Sequence, residues 1–289
     1  MTDQLHVSFE IFPPTDDSGE HALWKTVERL ASLDPAFVSV TYGAGGTSRK
    51  RSTKILDQLV RRTSHEAAAH VTCVGTTREE INALARGWSK KGVKRIIALR
   101  GDPPAARGTR FEPHPSGYSD TVALIRGLLR VAEFEIAVGA YPETHPDATS
   151  PEADLDHLKR KLDEGAAFGI TQYFFDAETY LRFRDRAVAA GIDKPIVPGI
   201  LPVTNFARVA EFSARCGATV PYWMRELFEG LDDDAETRRL VAASTACELC
   251  NRLKTEGVTR FHIYTLNRAE LSMAICRRLG MRPRLADAA

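Results

Sequence analysis

Short apolar runs alternate with amphipathic stretches from one end of this chain to the other, and that alternation limits the fold more than any other feature. The runs HVSFEIF (6–12), FVSVTY (37–42), AHVTCV (69–74), KRIIALR (94–100), FEIAVGAY (134–141), ITQYFF (170–175), PIVPGIL (195–201) and RFHIYTL (260–266) are rich in β-branched and aromatic residues and read as strands. Helical patterns lie between them, near 19–33, 49–63, 77–91, 119–132, 152–168, 177–190, 204–215 and 233–256, with a last one near 268–279. Strands that alternate with helices build a parallel sheet. Eight of them in 289 residues match a (β/α)8 TIM barrel. A doubly wound open sheet would carry a Gly-rich phosphate turn after its first strand, and FPPTDDSGE stands there instead. The expected fold is therefore α/β, a single catalytic barrel domain over 1–289, with the polar tail MRPRLADAA frayed.

Composition removes several classes of function. The net charge is +1 and no basic block occurs, which argues against a nucleic-acid or membrane-surface partner. The N-terminal MTDQLHVSFE has no basic segment before an apolar stretch, so no signal peptide is expected. No apolar run reaches spanning length. Five scattered cysteines fit a reducing compartment better than a disulfide framework, and the expected location is cytoplasmic. Cys247 and Cys250 form a lone CxxC inside a helical pattern, two ligands short of a closed zinc site. Asp232, Asp233 and Asp234 read as the start of a helix, not as metal ligands. No metal is expected.

A barrel carries its active site at the C-terminal ends of its strands, and unusual residues gather at those points. Glu10 closes the first strand just before Pro13 and Pro14; burial there would raise a carboxyl's pKa and make it a proton donor near neutrality. Thr41 and Tyr42 close the second strand before GAGGTS, read as a tight turn since Ser48 replaces the third glycine of GxGxxG. The third strand carries His70 and Thr72. The fourth ends in Arg100-Gly101-Asp102, the fifth in Tyr141-Pro142-Glu143 with His145 next. Gln172 lies in the sixth, LPVTNF follows the seventh, and Tyr264, Asn267 and Arg268 follow the eighth. By default His70 reads as a core histidine, Arg160 and Lys161 as a solvated helix face, and Phe206 and Phe212 as core. No strand-end lysine suits a Schiff base, and no Ser/His/Asp order or clustered metal ligands appear. One acid among aromatic, amide and hydroxyl groups suits an organic cofactor.

The motifs SFEIFPP, VTYGAGGT, HVTC, ALRGDPP, AYPETHP, KRKLDEGA, TQYFFD, PGILPVTNF, GLDDDAE and FHIYTLNRAE stand in order over about residues 6–280. Together they make the chain resemble the methylenetetrahydrofolate reductase family in its short bacterial form. The resemblance implies noncovalent FAD and reduction of 5,10-methylenetetrahydrofolate to 5-methyltetrahydrofolate by NADH or NADPH, in a ping-pong scheme within one-carbon metabolism and methionine biosynthesis. It implies that Glu10 protonates folate N10, opening the ring, and that flavin N5 then gives hydride to the iminium methylene. Asp102 would act beside the flavin and pterin, with a charge that favours the cation. Gln172 would contact pterin and nicotinamide, Phe212 would stack on substrate, and Arg268 would meet the folate tail. The FAD positions implied are Thr41, His70, Arg100, Gly101, Asp102, Tyr118, Ser119, Tyr141, His145, Asp154, Arg160 and Lys161. The last two reverse the default reading of that helix face.

Some features depart from the family pattern. Residues 103–117 (PPAARGTRFEPHPSG) are longer than in close bacterial relatives, and Arg208 stands where some members have glutamine. No C-terminal regulatory domain is expected. A homo-oligomer is compatible with the sequence, which sets no subunit number. The competing readings are another FAD-dependent barrel oxidoreductase of the proline-dehydrogenase-like kind, and a partner-dependent flavin- or folate-binding subunit.

Overall fold

The strand-helix alternation is realised in order. The computed structural model describes residues 4–43, 49–101 and 111–284. Its strands are β1 (His6–Ile11), β2 (Val38–Val40), β3 (Ala67–Thr72), β4 (Arg95–Leu99), β5 (Glu135–Ala140), β6 (Phe168–Thr171), β7 (Ile196–Val197), β8 (Gly199–Ile200) and β9 (Arg260–Tyr264). The helices are α1 (Asp17–Ala31), α2 (Arg49–Arg62), α3 (Arg78–Lys90), α4 (Thr121–Val131), α5 (Pro151–Asp163), α6 (Ala177–Ala189), α7 (Phe206–Cys216), α8 (Tyr222–Phe228), α9 (Ala235–Thr255) and α10 (Ala269–Leu279). All strand pairs are parallel, in the order β7-β6-β5-β4-β3-β2-β1-β9-β8.

β7 and β8 are two halves of one stave, broken at Pro198. Proline has no N–H to give to a ladder, but its carbonyl still accepts from the His262 amide at 2.9 Å. β7 pairs with β6 and β8 with β9, so this split stave joins the two edges of the sheet. The result is a single-domain (β/α)8 TIM barrel with surrounding helices.

Alternation along each strand divides the core into two layers. Ala67, Ala69, Ile96, Ala98, Ile136 and Val138 face the helices and pack with Leu56, Leu59, Leu124 and Leu128. Their neighbours Ala68, Ile97 and Ala137 point the other way and meet Phe37, Phe168, Ile170 and Val197 inside the barrel. Small residues opposite large ones fill the interior, as a packed barrel requires. Truncating fully packed Ile96 to Ala would cost roughly 2–5 kcal/mol.

Helix starts follow side-chain capping. Asp16, Thr77, Asp120, Ser150, Asp176, Asn205 and Asp234 each accept a backbone N–H at an N-cap, and Thr77 with Glu80 forms a capping box. Asp234 thus caps α9, in line with the helix-start reading of the aspartate run. Several boundaries differ from the sequence expectation. β3 and β6 begin and end earlier: beyond their ends Cys73, Tyr173, Phe174 and Phe175 leave the ladder and bury in apolar clusters. α5 stops at Asp163, before Gly165 at φ 124. The stretch around PYWMRELF, read only as a connection, holds α8, whose Met224 and Phe228 bury against Val203, Val209 and Ala242.

Candidate active site

Glu10 enters the mouth from β1, with Ser39 and Tyr264 as its register partners on β2 and β9. Its side chain keeps 22% exposure. Two imidazoles face its Oε2: Nε2 of His70 at 3.5 Å and Nε2 of His262 at 3.8 Å. Burial pushes the carboxyl up, as the sequence suggests, but the two imidazoles outweigh burial and hold it below its ordinary value. The direction expected from the sequence is therefore reversed, because β3 and β9 each aim a histidine at the acid. His70 itself is driven down to about 4, chiefly by burial, with the Glu10 charge opposing. At neutral pH it is an uncharged imidazole. It is a buried histidine, as its alternation with Val71 implied, but its Nε2 has no hydrogen-bond partner among the described residues.

A second group forms where β4 and β5 open toward the start of α5. Arg100 pairs with Asp147 at 2.7 Å. The rings of Tyr141 and His145 meet edge-on, centroids 4.5 Å apart. The His145 amide donates to Asp154 Oδ2 at 2.8 Å, and the Asp147 amide donates to His145 Nδ1 at 3.0 Å. Burial, and then Arg100, push the His145 imidazole below its usual value. Lys161 turns inward from α5 and its Nζ donates to the Gly139 carbonyl at 2.5 Å. It is 8% exposed, and burial lowers its pKa to about 8 against the pull of Asp154. Gly101, at φ 83, closes this side. A Cβ there would stand 2.6 Å from Val74 Cγ1 and 2.8 Å from Thr72 Cβ, so only glycine fits.

The other expected residues are distributed as follows. Thr41 ends the β2 stave, buried, with an Oγ1 that has no partner among the described residues. Gln172 follows β6 and its Oε1 accepts from the Tyr173 amide at 3.0 Å. Phe212, read by default as core, is instead 47% exposed on α7 and stacks on Tyr173 at 6.2 Å. The Arg208 amide donates to the Asn205 cap one turn earlier. Arg268 is exposed at the N-cap of α10. Arg160 points outward to Asp156 at 3.1 Å, a solvated face as its default reading had it; Lys161 alone of that pair turns in. Tyr118 packs on α4 at Gly127, and its hydroxyl donates to Asn82 Oδ1 at 2.7 Å; the neighbouring Ser119 is exposed. Asp102 lies outside the described residues, as do residues 44–48 of the turn after β2.

Sequence reasoning passed over His262 and Ser8. Both sit two residues before named mouth residues, Tyr264 and Glu10, and period-2 alternation puts each on the same inward face. The signal was present in FHIY and SFE. What was not readable was the register that sets Ser8 opposite His262. His157, lowered to about 4 by burial and by Lys161 and Arg160, was likewise unforeseen.

Comparison with known proteins assigns the chain to a family. The family model described as methylenetetrahydrofolate reductase matches residues 1–280. The chain is 51% identical to 5,10-methylenetetrahydrofolate reductase of Escherichia coli (strain K12) over 283 residues, 98% of this chain and 93% of that protein. It is 39% identical to the enzyme of that name from Buchnera aphidicola subsp. Acyrthosiphon pisum, over 97% and 94% of the two chains. It is 31% identical to methylenetetrahydrofolate reductase (NADH) 1 of Arabidopsis thaliana, over 96% of this chain and 49% of that one. Among solved structures, a Clostridium thermocellum protein described as binding two copies of 5-methyl-5,6,7,8-tetrahydrofolic acid superposes with a TM-score of 0.70. It does so over 97% of each chain at 16% identity, a likeness of fold. The chain belongs to the methylenetetrahydrofolate reductase family.

Proposed function

We propose that this chain reduces 5,10-methylenetetrahydrofolate to 5-methyltetrahydrofolate in a ping-pong reaction, with FAD as cofactor, NADH or NADPH as reductant, and Glu10 as the acid. The observation that carries this reading is the placement of Glu10, a half-buried carboxyl at the end of a barrel strand with two imidazoles against it.

The donor set fits FAD. Thr41 Oγ1 and His70 Nε2 are buried polar atoms without partners among the described residues, at adjacent stave ends, and such atoms are rare unless a ligand completes them. Beyond them, Arg100 and Lys161 supply two cations beside the start of α5, suited to a diphosphate. Tyr141, His145 and Asp154 would complete that side. Arg160 would have to turn from Asp156 to join them, and Tyr118 would have to leave Asn82. When bound, FAD supplies hydride transfer from the nicotinamide to the folate methylene.

The protein's own groups do the rest. Glu10 gives its proton to folate N10, which weakens the N10–methylene bond and leaves a cationic iminium at N5. Entry of the folate covers what is still open of the Glu10 side chain. That strengthens burial's upward push on its pKa and favours the protonated, donating form. His70, neutral, adds no positive charge to oppose a cation forming nearby. Gln172 offers an amide that can face pterin and nicotinamide in turn, which suits two substrates sharing one mouth. Phe212 offers an exposed ring for stacking, and Arg268 a guanidinium for the carboxylates of the folate tail. Asp102, from its place after Gly101, would stabilise the cation. The family match speaks against the proline-dehydrogenase-like reading.

The test is spectroscopic. The purified protein, incubated with FAD and stripped of free flavin, should show flavin absorbance that NADH or NADPH bleaches without oxygen. Methylenetetrahydrofolate should then restore it, and initial rates should give parallel double-reciprocal lines. A protein that retains no flavin would overturn the cofactor assignment. Bleached flavin that folate leaves unchanged would overturn the reaction.

A further inference from the structure

Ser8 and Glu10 on β1 face His262 and Tyr264 on β9 in a two-by-two block on the inner wall of the barrel. The His262 ring is fully buried. It lies against Phe37, centroids 5.7 Å apart and 25° from parallel, and Tyr264 meets it edge-on at 5.3 Å. Its Nδ1 is 2.7 Å from Ser8 Oγ. Its Nε2 has no hydrogen-bond partner among the described residues and faces Glu10 Oε2 at 3.8 Å.

The tautomer decides what Nε2 can do. Ser8 Oγ reaches both His262 Nδ1 at 2.7 Å and the Phe261 carbonyl at 3.4 Å. A hydroxyl that donates to Nδ1 leaves the ring proton on Nε2, aimed at the Glu10 carboxyl, and it is this tautomer that can serve Glu10.

We propose that His262, oriented by Ser8, is a positioning residue for the folate half-reaction: its Nε2–H stabilises the Glu10 carboxylate that proton transfer leaves behind. The proposal rests on the reading of Glu10 as the acid. In that step the Glu10 O–H bond breaks, an N10–H bond forms, and the electron pair stays on the carboxylate. His262 gives up no proton in this step and Ser8 keeps its own. A shift of Glu10 by roughly 1 Å brings Oε2 into hydrogen-bond range as its charge develops. A donor already held in place costs nothing to reorient at that moment. Glu10 takes up its next proton from solvent as the next folate enters and covers its exposed edge.

The other titratable groups facing Glu10 among the described residues are His70 from β3 and Tyr264 from β9. β2 contributes Ser39 opposite it, which does not titrate. His70 is uncharged above about pH 4, and burial keeps the Tyr264 phenol protonated. Across neutral pH neither changes charge, so a shift of the Glu10 profile reports on His262.

The experiment follows both half-reactions by stopped flow from pH 5.5 to 9 in wild type, His262→Phe, His262→Gln, Ser8→Ala and Glu10→Gln. His262→Phe keeps a planar ring without the donor. Its folate half-reaction should slow on the order of ten- to a hundredfold. The pH at which that rate declines should move upward, while flavin reduction by nicotinamide stays within about twofold of wild type. His262→Gln, which returns an N–H near the position of Nε2, should recover most of the loss, and Ser8→Ala should fall between. A pH profile that His262→Phe and Ser8→Ala both leave in place would overturn the proposal, and so would equal slowing of both half-reactions. If Glu10→Gln kept a normal folate half-reaction, the acid assignment itself would fall, a separate outcome read in the same set.

Discussion

Lys161 is a costly residue for the ligand-free protein and a productive one for the proposed holoenzyme. Its ammonium is buried beside the Gly139 carbonyl, and burial lowers its pKa to about 8 from an ordinary 10.5. The unfolded chain therefore binds more protons than the folded one between those two values. The penalty of a buried charge is full below pH 8 and fades as pH rises toward 10.5. Wild type should gain roughly 3 kcal/mol of stability relative to Lys161→Met over that range. Urea unfolding at a series of pH values checks this, and a difference flat with pH contradicts it. The same substitution should weaken FAD binding by on the order of tenfold or more, if Lys161 meets the diphosphate; flavin fluorescence titration would show it. One sequence motif, KRK, holds both this lysine and Arg160, and nothing in it said which would turn inward. The burial of α5 against β5 decides that.

At the scale of elements, the junction of β1 with the β9–α10 turn holds the Glu10 backbone in place. The Asn267 side chain pairs with the backbone of Phe12 on both sides: it accepts the Phe12 N–H at 3.0 Å and donates to its carbonyl at 2.7 Å. Thr265 donates to the Glu10 carbonyl through Oγ1 at 2.7 Å and through its amide at 3.2 Å. Leu266 and Asn267 adopt φ of 50 and 55, left-handed backbone that asparagine tolerates better than most residues. Asn267→Ala should cost about 1–3 kcal/mol, since it leaves two backbone groups of Phe12 without their partner. It should also slow the folate half-reaction more than flavin reduction. A thermal melt checks the first and stopped flow the second; an unchanged melting temperature would contradict the clamp. The sequence marked YTLNR as unusual but gave no sign of this pairing, which depends on two segments 255 residues apart. α8 was missed for a related reason: its two buried positions, Met224 and Phe228, make too short a period to stand out. The strands, by contrast, were legible because a parallel barrel buries both faces and so writes each stave as a continuous apolar run.

For the molecule as a whole, acid is the weak side. His70 is buried and neutral with a pKa of about 4, whereas an unfolded histidine titrates near its ordinary 6.5. The unfolded state thus takes up protons first as pH falls through 6.5, and stability drops until about pH 4. Glu10, held low by the imidazoles, acts in the same sense further down: what it contributes is lost as pH falls through its folded-state value. Denaturant unfolding should show about 2 kcal/mol less stability at pH 5 than at pH 7 from His70. His70→Gln should flatten that slope, and an equal slope in the variant would contradict the assignment. The net charge of +1 leaves little global repulsion at neutral pH to mask such local effects.

The barrel, its order of elements and most residues of its mouth were readable from alternation and strand-end composition. The histidine pair around Glu10 was not, because it depends on how β1, β3 and β9 align in register. The assignment on which the mechanism turns is that Glu10 supplies the proton for folate reduction and nothing to flavin reduction. Stopped-flow measurement of both half-reactions in Glu10→Gln tests it directly. Flavin bleaching by NADH or NADPH should proceed at near the wild-type rate, with reoxidation by methylenetetrahydrofolate slowed on the order of 10² to 10⁴-fold. Reoxidation at the wild-type rate, or equal slowing of both halves, would contradict it.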